Sequence, residues 1–269
     1  MSSRVEAALG GNKKLGRGSL IAYYPVGFPN LEESVEVVVA IAKAGADVIE
    51  LGVPYSDPVM DGLVIQEATQ TALNNGFKLT QLFIALKKIT QQVDTPILVM
   101  SYWNPILQYG VRRFAEDLKD AGGAGLITPD LIPDEAQEWL TVSDELNLDR
   151  VFLATPTSTA ERTKNAAELS RGFVYAVSTM GITGTRDEVD SLARSVVSNI
   201  RNASNSAFTA VGIGISNSRQ VSDVNSYADG AIVGSAIVKT HQLSGLAAVS
   251  ELVTELAAAA HENKTQESK

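Results

Sequence analysis

The order of apolar and polar positions repeats one theme along the chain. A short run of apolar, β-forming residues leads into a loop of glycine, proline and aspartate, and then into a longer stretch with helical spacing. Several of the eight runs are apolar at consecutive positions, which is typical of parallel strands covered by helices. The runs are SLIAYYP near 20, DVIELG near 50, PILVMSY near 99, GLITPD near 127, RVFLATP near 153, FVYAVS near 175, FTAVGIG near 211 and GAIVGS near 232.

The stretches between these runs carry signals for helix starts. Asn30 and Glu33 have capping-box spacing before VEVVVAIAKAG, Ser158 and Glu161 repeat that spacing, and Ser216 is expected to cap NSRQVSDVN. The stretch LVIQEATQTALNNGFKL indicates a helical insertion after the second strand. Eight such units without a break in composition predict an α/β fold, a single (β/α)8 TIM barrel with an extra N-terminal helix and helical insertions.

Length and charge narrow the domain organisation and the classes of function. The 269 residues suit one barrel, so we expect a single domain over 1–269 with a polar tail from about 261. A net charge of −9 disfavours binding to nucleic acid and to anionic lipid. No apolar run in the sequence reaches the roughly 20 residues that span a bilayer, and the N-terminus does not resemble a secretory signal. We therefore expect a cytoplasmic protein.

The chain has no cysteine and only two histidines. Disulfides, thiolate catalysis and zinc sites with sulfur ligands are excluded by this composition. His241 and His261 have no second ligand-type residue at a metal spacing. We expect both to be solvated side chains on a helix or loop, and we expect no metal site.

One acidic residue lies in an otherwise apolar strand. Because side chains alternate along a strand, Ile49 and Leu51 share the outer side and Glu50 points into the mouth of the barrel. Active sites of this fold lie at that end. No basic residue lies between Lys43 and Lys78, so Glu50 lacks a local ion-pair partner. Partial burial raises a carboxyl pKa and suits it to proton transfer, so the sequence predicts a catalytic Glu50.

The loop PYSDPVMDG after this strand holds two more carboxylates, Asp57 and Asp61. Aspartate before proline or glycine is an ordinary turn residue. A loop at the catalytic face is also where functional residues concentrate. The spacing leaves both interpretations open, although Asp61 has the reach to lie opposite Glu50.

Three glycine-bearing segments follow the last three predicted strands, STMGITGTR (178–186), GIGIS (212–216) and GSAIV (234–238). Barrels of this class bind phosphate through the loops after strands 7 and 8 and the N-terminus of a short helix. Glycine lets backbone N–H groups approach the anion, and Ser235 adds a hydroxyl donor. The segments therefore predict a phosphate site, and the first is either a lid or an ordinary loop.

Five large side chains fall at or near strand ends: Tyr23, Met100, Tyr102, Ile127 and Tyr175. As a group they suit the lining of a pocket for a flat aromatic group. Tyr23, Met100 and Ile127 are equally ordinary as core residues, and the sequence does not separate the two interpretations.

The motifs at these strand ends resemble those of a known family. ELGVPYSDPVMDG is the most specific of them, and STMGITGTR, VGIGIS and ADGAIVGSAIV follow in the same order. Over residues 18–238 the chain closely resembles the alpha chains of tryptophan synthase. This resemblance implies a lyase of L-tryptophan biosynthesis that cleaves indole-3-glycerol phosphate to indole and glyceraldehyde 3-phosphate by a retro-aldol step.

The resemblance also implies residue roles. Glu50 takes the position of the acid and base that relays protons between the glycerol hydroxyl and indole C3. Asp61 takes the position that accepts the indole N–H and stabilises positive charge on the ring. The positions that match substrate contacts are Tyr23, Met100, Tyr102, Ile127, Tyr175 and Thr183, and those that match phosphate contacts are Gly184, Gly214, Gly234 and Ser235.

A partner follows from the same resemblance. It implies an α2β2 assembly with a beta chain, which uses its own pyridoxal phosphate to join indole with serine and receives indole through a tunnel. No cofactor is expected in this chain. Asp57, Pro58 and Asn104 lie in segments that meet the beta chain in the family.

Three positions depart from the family pattern. Met60 and Leu63 replace an alanine and a proline that are frequent there, and Tyr23 stands where phenylalanine is frequent. No reacting group is lost. The alternatives are a regulatory subunit with weak catalysis, which binds the phosphosubstrate to activate the beta chain, and a different phosphosugar barrel such as an isomerase. Intact Glu50 and Asp61 disfavour the first, and the SDPxxDG loop disfavours the second.

Overall fold

A computed structural model describes residues 3–177, 186–212 and 214–263, and of residues 186–189 only the backbone. Within these ranges nine parallel strands form one sheet. The strands are β1 (Ser19–Pro25), β2 (Val48–Gly52), β3 (Ile97–Met100), β4 (Gly125–Ile127), β5 (Asp149–Val151), β6 (Leu153–Ala154), β7 (Val174–Ala176), β8 (Thr209–Val211) and β9 (Gly230–Val233). Their hydrogen-bonded order is β5-β4-β3-β2-β1-β9-β8-β7-β6.

The sheet closes on itself at Phe152. The predicted fifth strand is two pieces, β5 and β6, and Phe152 alone separates them. β5 pairs with β4, whereas β6 pairs with β7, so the chain passes from one neighbour to the other at this residue. Because the two ends of the hydrogen-bonded order are consecutive in the chain, the predicted TIM barrel is confirmed.

The helices cover the outside of this barrel, apart from the first. They are α1 (Arg4–Lys14), α2 (Leu31–Lys43), α3 (Leu63–Asn74), α4 (Leu79–Thr90), α5 (Trp103–Tyr109), α6 (Val111–Asp120), α7 (Gln137–Leu146), α8 (Ala160–Leu169), α9 (Arg186–Ala203), α10 (Ser218–Asn225) and α11 (Ser235–Ala260), with a 3-10 turn at Pro133–Glu135. α3 is the predicted insertion after the second strand. The Asn30 side chain accepts the Glu33 N–H, as the capping pattern predicted.

Two predicted caps are wrong by one residue. Thr159, and not Ser158, accepts the N–H that starts α8, because the Ser158 hydroxyl accepts the Thr155 N–H in the preceding turn. Asn217, and not Ser216, caps α10. In each pair both residues have capping chemistry, so the path of the entering chain decides between them.

Strand alternation divides the apolar side chains into two layers. Ile49 and Leu51 belong to the layer between the sheet and the helices. The inner layer contains Val5 and Leu9 of α1, which therefore closes the N-terminal end of the barrel as the predicted extra helix. Its other buried members are Ile21, Val48, Leu98, Ala124, Ile127, Val151, Phe173, Ala210 and Ile232.

The histidines are not the solvated side chains that we expected. His241 is buried, with its Nδ1 2.5 Å from the Tyr24 hydroxyl and its Nε2 3.3 Å from Glu33 Oε1. His261 is partly exposed, and its Nε2 lies 2.9 Å from Asp47 Oδ2. These partners are distant in sequence, so local pattern gives no sign of them.

Helix α11 is long and apolar enough to cross a membrane, judged by length and composition alone. Its backbone is not helical at Gly245, where φ is 76° and ψ is −173°. This position divides α11 into a short first segment and a longer second one. Buried residues of both segments, such as Ile237 and Val253, are part of the core layer around the barrel.

Candidate active site

Glu50 lies in β2 near the mouth of the barrel. Its side chain is 1% exposed, and its Oε1 has no hydrogen-bond partner among the described residues. Burial raises the pKa of this carboxyl to about 8. Glu50 therefore keeps its proton at neutral pH and gives it up within the range of ordinary general acid–base chemistry.

Asp61 is held over the same mouth by Tyr102. The Tyr102 hydroxyl donates to Asp61 Oδ1 at 3.1 Å and accepts the Met60 N–H at 2.9 Å. Gln66 Nε2 donates to the Asp61 carbonyl at 2.7 Å, which fixes the backbone of the loop. Burial raises the pKa of Asp61 above its ordinary value, and the Tyr102 hydrogen bond offsets part of this rise. The carboxylate bonds to a distant hydroxyl and not to its own turn, so the turn interpretation does not account for it.

Two tyrosines at the mouth lie over glycines of neighbouring strand ends. A Cβ added at Gly52 would lie 2.2 Å from the Tyr23 hydroxyl oxygen, and one added at Gly212 would lie 2.1 Å from that of Tyr175. Any larger residue at either glycine would displace a ring. The negative charges of Asp61 and Glu50 contribute to raising the pKa of both phenols, after burial as the main cause. The two rings and the two carboxyls therefore share one site.

The five large side chains that the sequence suggests for a pocket lining divide between core and pocket. Ile127 is fully buried in the inner layer, so the core interpretation describes it well. Met100 is partly exposed and packs against both apolar layers. Tyr102 is 4% exposed and bonds to Asp61. The sequence predicts Tyr102 as part of the pocket, and the fold adds its hydrogen bond to Asp61.

The predicted phosphate-binding positions lie at the ends of β8 and β9. Gly234 precedes the first residue of α11, Ser235, which is exposed. A Cβ added at Gly62 would lie 4.0 Å from Ser235 Oγ, so the catalytic loop borders this helix start. Gly214 has a φ of 47° and open space around it. Thr183 and Gly184 lie outside the described residues.

The first segment of α11 matches the short extra helix that binds phosphate in barrels of this type. The family model of the tryptophan synthase alpha chain matches residues 10–267. The chain belongs to the tryptophan synthase alpha chain family. The resemblance indicated by the sequence motifs is thereby confirmed, and the chain is a lyase of tryptophan biosynthesis.

Individual alpha chains are similar over almost their full length. That of Leifsonia xyli subsp. xyli is 57% identical over 255 residues, which cover 95% of this chain and 97% of the relative. That of Mycobacterium marinum is 48% identical over 242 residues, covering 90% and 89%. A solved structure of Mycobacterium tuberculosis tryptophan synthase has a TM-score of 0.91 at 44% identity, covering 97% and 99%. The tryptophan synthase complex of Pyrococcus furiosus has a TM-score of 0.80 at 35% identity, covering 90% and 98%.

The predicted partner-facing residues of this alpha chain lie on one rim of the mouth. Asp57 and Asn104 are exposed, and Pro58 is partly exposed. Asn104 Nδ2 donates to the Tyr55 hydroxyl at 3.3 Å, which joins the loop after β2 to α5. The Tyr55 ring lies 5.2 Å from that of Tyr102, so this rim is in contact with the residue that holds Asp61.

Two residues of this rim were not predicted from the sequence. One is Tyr55, whose ring packs against that of Tyr102. The other is Asp130, whose Oδ1 accepts the Trp103 N–H at the start of α5 at 2.9 Å. Asp130 follows a strand in the segment ITPD, which is a usable signal for a side chain at the catalytic face. Among the described residues no group of three or more His, Cys, Asp or Glu side chains has the arrangement of a metal site.

Proposed function

We propose that Glu50 and Asp61 carry out the alpha reaction of tryptophan synthase, the cleavage of indole-3-glycerol phosphate to indole and glyceraldehyde 3-phosphate. The observation that supports this most strongly is the pair of carboxyls at one mouth, one with no hydrogen-bond partner among the described residues and one held by Tyr102. Burial raises the pKa of Glu50 to about 8, which keeps its proton in place, and the Asp61 carboxyl across the same space accepts a hydrogen bond from Tyr102.

The first step is protonation of the ring. Glu50 donates its proton to indole C3, and the positive charge that develops at the ring nitrogen is stabilised by Asp61, which accepts the N–H. The burial that raises the pKa of Glu50 to about 8 keeps the required proton on it at neutral pH.

The second step is the retro-aldol cleavage. Glu50, now a carboxylate, removes the proton of the hydroxyl on the chain carbon that is bonded to C3. The bond between that carbon and C3 breaks, the hydroxyl carbon becomes the aldehyde, and the electron pair restores the neutral indole. Glu50 ends the cycle protonated, so the reaction needs neither a metal ion nor a cofactor in this chain.

The binding residues follow from the same arrangement. We assign the phosphate to the N–H groups around Gly214 and Gly234 and to Ser235, together with Gly184. The indole ring lies among the side chains of Tyr23, Met100, Tyr102, Tyr175 and Thr183, and Ile127 belongs to the buried inner layer. Glycine backbone and a helix start suffice to bind an anion in a protein of net charge −9.

The assembly is a further part of the proposal. We place a beta chain against the rim of Asp57, Pro58 and Asn104, in an α2β2 complex in which pyridoxal phosphate belongs to the beta chain. The chain is then a single domain over 1–269 with a polar tail from about 261, in the cytoplasm, with no nucleic-acid or membrane partner. Mass measurement of the purified complex tests the stoichiometry.

The direct test is release of indole from indole-3-glycerol phosphate, measured with and without the beta chain. We expect release in both conditions, and we expect Glu50→Gln to lower turnover by at least about 10²-fold while substrate binding stays measurable. Absence of turnover in both conditions would contradict the lyase, and retained binding in that case would favour the regulatory subunit. Near-normal turnover of Glu50→Gln would contradict the role of Glu50.

A further inference from the structure

The Tyr23 side chain lies between the two ends of the proposed substrate. β1 is hydrogen-bonded to β2 on one side and to β9 on the other. The base of the Tyr23 ring is close to Gly234, where an added Cβ would lie 3.1 Å from Cδ1. Its hydroxyl reaches the opposite way, to the space over Gly52. The ring therefore extends from the phosphate-binding end of the site towards the strand that carries Glu50.

The Tyr23 hydroxyl has no hydrogen-bond partner among the described residues, although the residue is only 6% exposed. The Tyr23 oxygen is not one of the fully buried polar atoms without a partner, so it is open to solvent and available to a ligand. Tyr24, the next residue of the same strand, shows the contrasting case, because its hydroxyl bonds to His241 and to the Phe28 carbonyl. The missing partner of Tyr23 is thus specific to the side that faces the mouth.

The chemistry of this hydroxyl is that of a donor. Burial, with the negative charges of Asp61 and Glu50, raises the pKa of Tyr23 well above its ordinary value. The phenol therefore keeps its proton at every pH at which the enzyme would work. An acceptor that enters the space beside Glu50 would find a fixed, protonated donor there.

The substrate carries such an acceptor in the matching place. In indole-3-glycerol phosphate the chain between the phosphate and indole C3 bears two hydroxyls. With phosphate at Gly234 and C3 at Glu50, that chain runs alongside Tyr23. We propose that the Tyr23 hydroxyl donates a hydrogen bond to a hydroxyl of the glycerol chain, which makes Tyr23 a specificity-determining residue for that chain. This inference rests on the proposed function, because it takes the position of the substrate from it.

The test compares two ligands on a chain that does not turn over. In the Glu50→Gln background, dissociation constants are measured for indole-3-glycerol phosphate and for 3-(indol-3-yl)propyl phosphate, which keeps the ring and the phosphate but lacks both chain hydroxyls. We expect Tyr23→Phe to weaken the first ligand about three- to tenfold, the range of one uncharged hydrogen bond, and to leave the second within twofold.

A matched control is Tyr24→Phe, which removes a hydroxyl from the other face of the same strand. We expect it to lower thermal stability and to change the two dissociation constants by the same factor. Equal weakening of both ligands by Tyr23→Phe, or no weakening of either, would overturn the inference. Indole release by the wild-type chain with its beta chain is run in parallel. Its absence would contradict the proposed function itself, whereas its presence with equal ligand effects contradicts only the role of Tyr23.

Discussion

The two ends of this barrel bury carboxyl groups equally well but differ in the hydrogen bonds that these groups accept. At the N-terminal end, Asp149 and Asp229 are 1% and 3% exposed, and at the mouth Glu50 is 1% exposed. Asp149 Oδ2 accepts from the Ser3 hydroxyl at 2.7 Å and Asp229 Oδ2 accepts from the Thr209 N–H, although Oδ1 of each carboxylate has no hydrogen-bond partner among the described residues. Neither oxygen of Glu50 accepts a hydrogen bond from a described residue. Neither burial of an acid nor one unpaired oxygen is therefore the sign of catalysis here, whereas a carboxyl that accepts no hydrogen bond from any described residue is.

The N-terminal carboxylates hold α1 in the end of the barrel. Asp229 Oδ2 accepts from the Thr209 N–H at 2.9 Å, and Lys13 Nζ lies 2.9 Å from Oδ1 in an ion pair that is not aligned as a hydrogen bond. Asp47 accepts from Asn12 Nδ2 at 2.8 Å. The contacts of Lys13 and Asn12 join α1 to residues that precede a strand, and the Thr209 bond joins the starts of two neighbouring strands. This end of such barrels is where stability resides, and the mouth is where chemistry resides.

The largest effect that separates the two ends is expected from Asp61→Asn. The amide keeps the shape of the side chain but not the charge that stabilises the ring nitrogen. We expect turnover to fall about 10²- to 10³-fold, the usual effect of removing one electrostatic stabiliser, with no loss of thermal stability. Steady-state kinetics and a thermal melt on the same sample measure both. Turnover within tenfold of wild type would remove Asp61 from the chemistry.

A second effect is the pH dependence of stability that Glu50 contributes. Its pKa is about 8 in the folded chain and 4.5 in its ordinary state. The stability linked to Glu50 is therefore full below pH 4.5 and is lost as the pH rises from 4.5 to 8, because over that range only the unfolded chain releases the proton.

The side chain of Glu50→Gln does not titrate. The free energy of unfolding of the variant, relative to that of wild type, should therefore increase between about pH 4.5 and 8, by as much as a few kcal/mol. Urea unfolding at a series of pH values measures the difference, and the common background of other titrating groups cancels in it. A difference that stays constant across this range would mean that Glu50 is solvated or paired.

The smallest of the three effects is expected at the opposite end, from Asp229→Asn. The amide loses the ion pair with Lys13 and weakens the bond from the Thr209 N–H. Because Lys13 is half exposed and returns to water, we expect a loss of about 1–3 kcal/mol in the free energy of unfolding. Turnover should stay within about twofold. A large loss of turnover without a loss of stability would break the division between the two ends.

The sequence predicted this division only in part. Glu50 could be placed in the mouth because alternation along an apolar strand needs no long-range contact, and the structure confirms it. Asp61 could not be separated from a turn residue, since its partner Tyr102 is 41 residues away in sequence. For the same reason the prediction of a solvated His241 was wrong, because its partner Tyr24 is 217 positions away in sequence.

Local competition limited the prediction elsewhere. Ser158 and Thr159 have the same capping chemistry, and the turn before α8 uses the first of them. The space over Gly52 that receives the Tyr23 hydroxyl is a property of two strands in register, so a glycine in one strand gives no warning of it. The identity of each element was thus predictable from its own residues, and the pairing of side chains between elements was not.

The most direct test of the central claim is a titration of the Glu50 carboxyl itself. Carbon-13 NMR of the chain labelled at glutamate side chains resolves the carboxyl signals, and the Glu50 signal is the one absent from Glu50→Gln. An unpaired, buried carboxyl predicts a midpoint at about pH 8. A midpoint near the ordinary value of 4.5 would contradict the claim that Glu50 is protonated at neutral pH at the mouth of the barrel.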